Sequence, residues 1–198
     1  GQIELVFGGE DAYALLKDSV LNPVSTPSST MSPYGRSGLA LALGETPAAK
    51  LAGKAAPKVQ GERWKIVDGS LMRAAAPEQK RLSSPCLVAA IVGKKARLGI
   101  LGSLQCADDG SLTGQPRWID DTLETGCLKR LSPRGQKLVR VPAFVIQHGE
   151  TPSLILPPEA GARLGVRQEL TGMSLEALTP VEVLERGTDF VRYACTAG

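Results

Sequence analysis

Hydrophobic residues along this chain fall mostly in short runs of strand length, divided by glycine, proline and paired polar residues. Residues 86–92 (CLVAAIV) are apolar throughout, which predicts a strand buried on both faces. Residues 63–67 and 70–73 are separated by Asp68-Gly69, a pair that accepts the positive φ angles of a two-residue turn. The middle of the chain is therefore predicted to contain a tight hairpin followed by a central strand.

Further strands are predicted on both sides of this region. Residues 139–147 and 153–156 bracket a turn at residues 148–150 and form a second predicted antiparallel pair. Pro142 lies within the first of these segments, and because proline lacks an N–H, it places that strand at a sheet edge or at a bulge. The remaining predicted strands are residues 2–7, 96–106 and 190–195.

Four short segments carry helical signals. Residues 10–20 repeat apolar side chains at the spacing of one helix face and begin with two acidic residues. Residues 46–53 begin with Thr-Pro and end at a glycine, as helices often do. Residues 179–187 begin with the capping box Thr-Pro-Val-Glu and also end at a glycine. A fourth short helix is predicted at residues 157–165.

Together these elements predict an α+β fold, with a mainly antiparallel β-sheet and several short helices at its margins. Residues 22–37 (NPVSTPSSTMSPYGRS) are dense in proline, serine and threonine and predict a flexible loop. Because only about twenty residues precede this segment, a loop is favoured over an interdomain linker. We therefore expect residues 1–198 to form a single domain.

The composition is that of an ordinary globular protein, with 42% hydrophobic residues, 22% charged residues and a net charge of +3. No apolar run reaches about eighteen residues and no signal-peptide core is visible, so we expect neither a membrane segment nor secretion. The four cysteines lack the close pairs of a zinc site, and free thiols in the cytoplasm are favoured over disulfides. Since the first residue is glycine, we expect a processed product or a segment of a longer protein.

No complete catalytic or metal-binding signature is present. The only histidine, His148, lies in a predicted turn, and no nucleophile motif identifies a partner for it such as Cys127 or a serine. The aspartate pairs at residues 108–109 and 120–121 lack the spacing of a calcium loop, so a turn and the start of a short helix are favoured. The phosphate-binding loop of nucleotide enzymes is missing. We expect no catalytic residue, no metal and no cofactor.

Clustered basic residues are the one positive functional signal. Five lie within twelve residues that contain no acid, namely Lys129, Arg130, Arg134, Lys137 and Arg140. A second group consists of Lys94, Lys95 and Arg97, and a third consists of Lys50, Lys54 and Lys58. Such groups gain affinity for nucleic acid by neutralising phosphates and releasing counterions. Aromatic residues are only 4% of the chain, which argues against a stacking platform for single strands.

Residues 98–124 (LGILGSLQCADDGSLTGQPRWIDDTLE) combine an apolar strand with Asp109-Gly110, Pro116, Trp118-Ile119 and Leu123-Glu124. This order resembles a stretch ahead of the motor in some bacterial superfamily-one helicases, where a strand leads to an Asp-Gly turn, a Pro-Trp-Ile signature and a short acid-ended helix. Arg117 departs from that pattern because it separates the proline from the tryptophan. The resemblance implies an accessory region of such a helicase, in which the basic groups guide nucleic acid or dock a partner.

The function predicted from the sequence is a non-catalytic accessory or binding module that contacts nucleic-acid phosphates through the first two basic groups without reading bases. One alternative is a structural or assembly protein, in which apolar strand edges pair with another chain and the charges only keep the protein soluble. The partners expected are thus nucleic acid, a larger protein assembly, or the motor domain that the helicase resemblance implies. A second alternative is a hydrolase built on His148.

Overall fold

The computed structural model describes residues 1–18, 59, 61–76, 81–92, 95–131, 135 and 137–197. Apart from Val59, these residues belong to one unit formed by Gly1–Leu21 and Gln60–Gly198. The predicted loop at 22–37, the predicted helix at 46–53 and the third basic group lie outside the described residues. The expectation of a single domain stays a prediction.

The described residues fold into two closed antiparallel β-barrels of six strands each. The strands of the first barrel are β1 Gln2–Phe7, β2 Glu62–Val67, β3 Ser70–Arg73, β4 Cys86–Val92, β5 Lys95–Cys106 and β6 Leu112–Trp118. The strands of the second barrel are β7 Thr122–Leu131, β8 Leu138–His148, β9 Thr151–Leu156, β10 Gln168–Thr171, β11 Ala177–Arg186 and β12 Val191–Ala197. The helix α1, Gly9–Asp18, follows β1, and a 3₁₀ turn at Pro158–Ala160 follows β9.

The predicted α+β class is wrong, because the described residues form a β-barrel fold with one α-helix. The predicted helix at residues 179–187 is instead part of β11, which pairs with β12 through two register shifts. The capping signal there is local, whereas Val181 and Val183 are β-branched and favour a strand once β12 offers a hydrogen-bonding partner. The predicted helix at 157–165 is reduced to the single 3₁₀ turn.

Both barrels have the same strand order. The first runs β1-β2-β3-β6-β5-β4 and the second runs β7-β8-β9-β12-β11-β10, each ring closing on its first strand. In each barrel the fourth strand lies beside the first, so four strands form a Greek key and a further hairpin completes the ring. The two barrels thus share one topology, although the sequence contains no recognisable repeat that would predict it.

Local signals that predicted strands correctly have clear structural counterparts. Asp68 and Gly69 have φ angles of 48° and 79°, as the predicted hairpin turn between β2 and β3 requires. At Pro142, β7 is the only described strand that pairs with β8, because the pairing with β9 begins only at Phe144. The missing N–H of Pro142 therefore falls where the strand is an edge, as predicted.

Three apolar clusters form the core of the described residues. One fills the first barrel around Trp64 and Leu101, and another fills the second barrel around Leu128 and Tyr193. The third lies between the barrels and combines residues of α1 and of both barrels, including Leu16, Leu87, Ile100, Phe144, Ile155 and Phe190. Residues 86–90 of β4 are all buried, because one face lines the first barrel and the other faces this shared layer.

Replacement of Phe190 tests how much the shared apolar layer contributes to the free energy of unfolding. Phe190 is fully buried there, so Phe190→Ala is expected to lower the free energy of unfolding by about 3–5 kcal/mol through lost burial and a cavity. Leu184→Ala, at a half-exposed position on β11, is expected to change it by less than about 1 kcal/mol. Urea denaturation measures both values, and equal effects of the two substitutions would contradict the assignment.

Candidate nucleic-acid interface and inter-barrel cleft

The β7–β8 hairpin extends beyond the wall of the second barrel. The two strands pair continuously from Thr122 with Gln147 to Leu131 with Leu138. Pairing of β10 with β7 reaches only Leu128, and pairing of β9 with β8 begins at Phe144. Residues 129–131 and 138–140, here named the ribbon, therefore pair only with each other in the part of the chain that the structure describes.

The ribbon carries three of the five basic residues of the first group, Lys129, Arg130 and Arg140. Lys129 lies directly opposite Arg140, and Arg130 lies opposite Val139 on the other face. Lys137 is exposed immediately before β8. Among the described residues, no salt bridge involves Lys129, Arg130 or Arg140. Two like charges thus face each other across the ribbon, and neither has an acidic partner among the residues that the structure describes.

Apolar side chains lie beside this cationic pair. Leu131 and Leu138 are the next opposed pair on the face that carries Lys129 and Arg140, and they are 63% and 57% exposed. A strand repeats its facing every second residue, so the charges and the leucines form one continuous surface. This surface combines two cations with two exposed aliphatic side chains.

The second basic group lies elsewhere. Arg97 forms an ion pair with Asp120, and its guanidinium lies 5.3 Å from the centre of the Trp118 ring. Asp120 just precedes β7, whereas the ribbon lies at the far end of that strand and begins at Lys129, roughly 30 Å away at about 3.3 Å per residue. Lys95 is exposed near Arg97, while Lys94 and Arg134 lie outside the described residues. The structure therefore does not join the two basic groups.

A groove of about 500 Å³ beside Lys129 adds one basic residue that the sequence did not single out. Arg167 lines this groove, as do Glu169 and Glu176. The pairing of β10 with β7 brings Arg167 close to Lys129, and no local sequence pattern signals this. Because two carboxylates share the groove, its charge is mixed, and the ribbon remains the more strongly cationic surface.

His148 has an acidic partner that the sequence did not assign to it. Because Thr122 pairs with Gln147, Asp121 and His148 are the next neighbours across the hairpin. His148 Nδ1 lies 2.7 Å from Asp121 Oδ1. A carboxylate at Nδ1 orients an imidazole so that its Nε2 can accept or donate a proton, as in catalytic triads. The imidazole is 76% exposed, however, so the pair is largely in solvent.

The nucleophile considered for His148 does not lie near it. Cys127 pairs with Pro142, six residues and roughly 20 Å along β8 from the histidine. Its sulfur lies 3.4 Å from the hydroxyl of Tyr13, so the suggested Cys127–His148 pairing is wrong. Burial, assisted by the bond to Cys127, raises the pKa of Tyr13. The described residues that line the cleft beside His148 include no serine, threonine or cysteine.

The aspartate pairs have structural partners. Asp109 accepts a 2.8 Å hydrogen bond from the backbone N–H of Ser111, which confirms the predicted turn, and hydrogen bonds from Ser111 lower its pKa. Asp120 and Asp121 bind Arg97 and His148 and do not begin a helix, so that prediction is wrong. Within the described ranges, no group of three His, Cys, Asp or Glu side chains could hold a metal ion.

The four cysteines are free thiols in the structure. Burial raises the pKa of Cys86 to about 12, with a further contribution from Asp189, and burial raises the pKa of Cys195 to about 11. Cys106 is exposed. No helix in the described part of the chain is both long and apolar enough to span a membrane.

Comparison with protein families, with curated proteins and with solved structures finds no significant match to this chain. The resemblance to the region ahead of a helicase motor therefore stays a prediction. One local feature differs from it, because Leu123 and Glu124 lie in β7 rather than in a short helix.

Alkylation by iodoacetamide tests the placement of the thiols. The reactive species is the thiolate, so we expect Cys106 to react first at pH 8 and the buried, high-pKa Cys86 and Cys195 to remain unmodified in the folded protein. Mass spectrometry of tryptic peptides identifies the modified sites. Cys106→Ser is the matched control and should abolish the fast phase, whereas rapid labelling of Cys195 would contradict its burial.

Proposed function

We propose that this chain is a non-catalytic module that binds nucleic acid through phosphate contacts made by the ribbon. The observation that supports the proposal is the opposed pair Lys129 and Arg140, for which no acidic partner lies among the described residues. Like charges directly opposite each other destabilise a strand pair. A phosphate bound beside them attracts both cations and so offsets their mutual repulsion, and its binding releases counterions.

The neighbouring residues extend the same chemistry. Arg130 presents a second guanidinium on the other face of the ribbon, and Lys137 adds a cation at the start of β8. A guanidinium can bind a phosphate through two parallel hydrogen bonds, whereas a lysine acts as a point charge. Arg134 is proposed as a further contact from its sequence position. Lys94, Lys95 and Arg97 are proposed only as a separate, assisting contact, since Arg97 is already paired with Asp120.

Salt-dependent binding tests the ribbon directly. In fluorescence anisotropy with labelled duplex DNA and with single-stranded RNA, we expect affinity to fall steeply between about 50 and 200 mM salt. Lys129→Gln/Arg140→Gln should weaken binding at 50 mM salt and reduce the slope of log affinity against log salt by about 2, because each lost duplex phosphate contact removes about 0.9.

The control for this experiment removes the same net charge elsewhere. Arg163 and Arg186 are exposed and lie outside the ribbon, so Arg163→Gln/Arg186→Gln should leave the slope nearly unchanged. Equal weakening by both double variants would show that only net charge matters. The absence of binding at 50 mM salt would rule out the proposal.

Leu131 and Leu138 favour the assembly alternative, because exposed aliphatic pairs on a projecting ribbon are suited to contact with another chain. Light scattering separates this alternative from nucleic-acid binding. A mass that rises with protein concentration, and that added DNA does not change, would favour assembly.

The bond between His148 and Asp121 is the observation that favours the hydrolase alternative. Because no hydroxyl or thiol lies among the described residues that line its cleft, such an enzyme would have to activate water. We expect no turnover of carboxylic-ester or phosphodiester substrates above the uncatalysed rate, and no change in His148→Ala. Turnover by the wild-type chain that is lost in His148→Ala would make the non-catalytic assignment wrong.

A further inference from the structure

A polar cleft of about 380 Å³ opens between the barrels at the end of the β7–β8 hairpin opposite the ribbon. The first barrel contributes Arg117 and Trp118 from β6, and the second contributes His148 from β8 and Arg192 from β12. Residues 119–121, which connect the barrels, form the remaining wall. No part of the proposed ribbon interface contributes to this cleft.

Arg192 has donor capacity that the described protein groups do not use. Its Nε donates a 3.1 Å hydrogen bond to Ser153 Oγ, and this bond fixes the half-buried guanidinium. Its Nη atoms have no hydrogen-bond partner among the described residues. Burial, and then the neighbouring charge of Arg117, lower the pKa of Arg192, whereas Glu185 and Asp121 act in the opposite direction.

Each acidic side chain around the cleft forms an ion pair or a hydrogen bond with a different basic side chain. Arg117 forms an ion pair with Glu185 of β11, which joins the two barrels. Asp120 binds Arg97 and Asp121 binds His148 Nδ1. His148 Nε2 and the Nη atoms of Arg192 are two of the groups from residues lining the cleft that have no hydrogen-bond partner in the described part of the chain.

We propose that this cleft binds a phosphate group, held by the Nη fork of Arg192 with His148 Nε2 as a second contact. A guanidinium fork matches two oxygens of a phosphate, and a half-buried guanidinium loses less of the interaction to solvent than an exposed one. A volume of about 380 Å³ is at the small end of ligand sites, so inorganic phosphate or a small phosphate monoester is the expected size. The phosphate could be free or could terminate a nucleic-acid strand.

The single histidine of the chain provides a specific reporter of this site. The Hε1 resonance of His148 is unique in a proton NMR spectrum, so its shift can be followed while inorganic phosphate is added at constant pH and ionic strength, with chloride as the reference anion. We expect a saturable shift with phosphate and none with chloride. A 5′-phosphorylated trinucleotide and its unphosphorylated counterpart distinguish the two sources of phosphate.

Substitutions of Arg192 distinguish a specific phosphate site in the cleft from a nonspecific effect of added phosphate. Arg192→Gln is expected to weaken phosphate binding at least tenfold. Arg192→Lys keeps the charge but loses the fork, and should weaken binding to an intermediate extent. Arg163→Gln, at an exposed position in the same barrel, should bind as the wild type does. Circular dichroism and thermal unfolding confirm that each variant is folded, and Arg192→Lys preserves the test if Arg192→Gln does not fold.

Two results would overturn the proposal. One is a shift that does not saturate or that chloride reproduces, and the other is equal affinity in the wild type and in Arg192→Lys and Arg192→Gln. Saturable binding of inorganic phosphate that Arg192→Gln abolishes supports it. Lys129→Gln/Arg140→Gln should leave the His148 titration unchanged, so failure of the cleft and failure of the ribbon are distinguishable.

Discussion

The shared apolar layer between the barrels is the constraint on which the other features depend. Leu87 and Ala89 of β4 point into this layer, while the alternate residues of the same strand line the first barrel. Asp189 lies beside Leu87 of this layer, and its two carboxylate oxygens accept hydrogen bonds from the backbone N–H of Leu87 at 3.1 and 3.3 Å. Burial raises the pKa of Asp189, so its position there is retained against a desolvation cost. The layer packs the first barrel against the second, and Arg117 of β6 and Arg192 of β12 line one cleft between them.

Closure of the barrels also explains why the ribbon is chemically distinctive. A closed barrel has no free strand edges, but the ribbon extends past its neighbours and exposes both edges. Lysine and arginine on such edges also hinder edge-to-edge association, which is a purely structural role. That role requires charge but does not require Lys129 and Arg140 to face each other, an arrangement that costs stability. Protection of an edge therefore leaves the opposed placement unexplained, whereas the proposed polyanionic ligand would account for it.

Sequence reasoning succeeded where the determining interactions were local. The turn at Asp68-Gly69, the strand at 86–92 and the first helix each depend on residues close in the chain, although the predicted burial of that strand holds only for residues 86–90, since Ile91 and Val92 are exposed. The barrels depend on remote pairings, such as β1 with both β2 and β4, and no local signal specifies these. The cluster of lysines and arginines between residues 129 and 140 was visible in the sequence. That Lys129 faces Arg140 follows only from the register of β7 and β8. His148, Asp121 and Arg192 come together only through the fold, because Arg192 and Asp121 are far apart in the chain.

The β7–β8 hairpin connects the two proposed phosphate sites and determines how they can act. Its ten paired positions run without a register shift from Thr122 to Leu131, so the ribbon and the cleft are attached to one continuous ladder. Such a ladder holds its ends at a nearly fixed separation, roughly 30 Å here. A small phosphate in the cleft therefore cannot touch the ribbon, and the two sites are expected to bind small anions independently. Coupling between them would require one extended polyanion that reaches both ends of the hairpin.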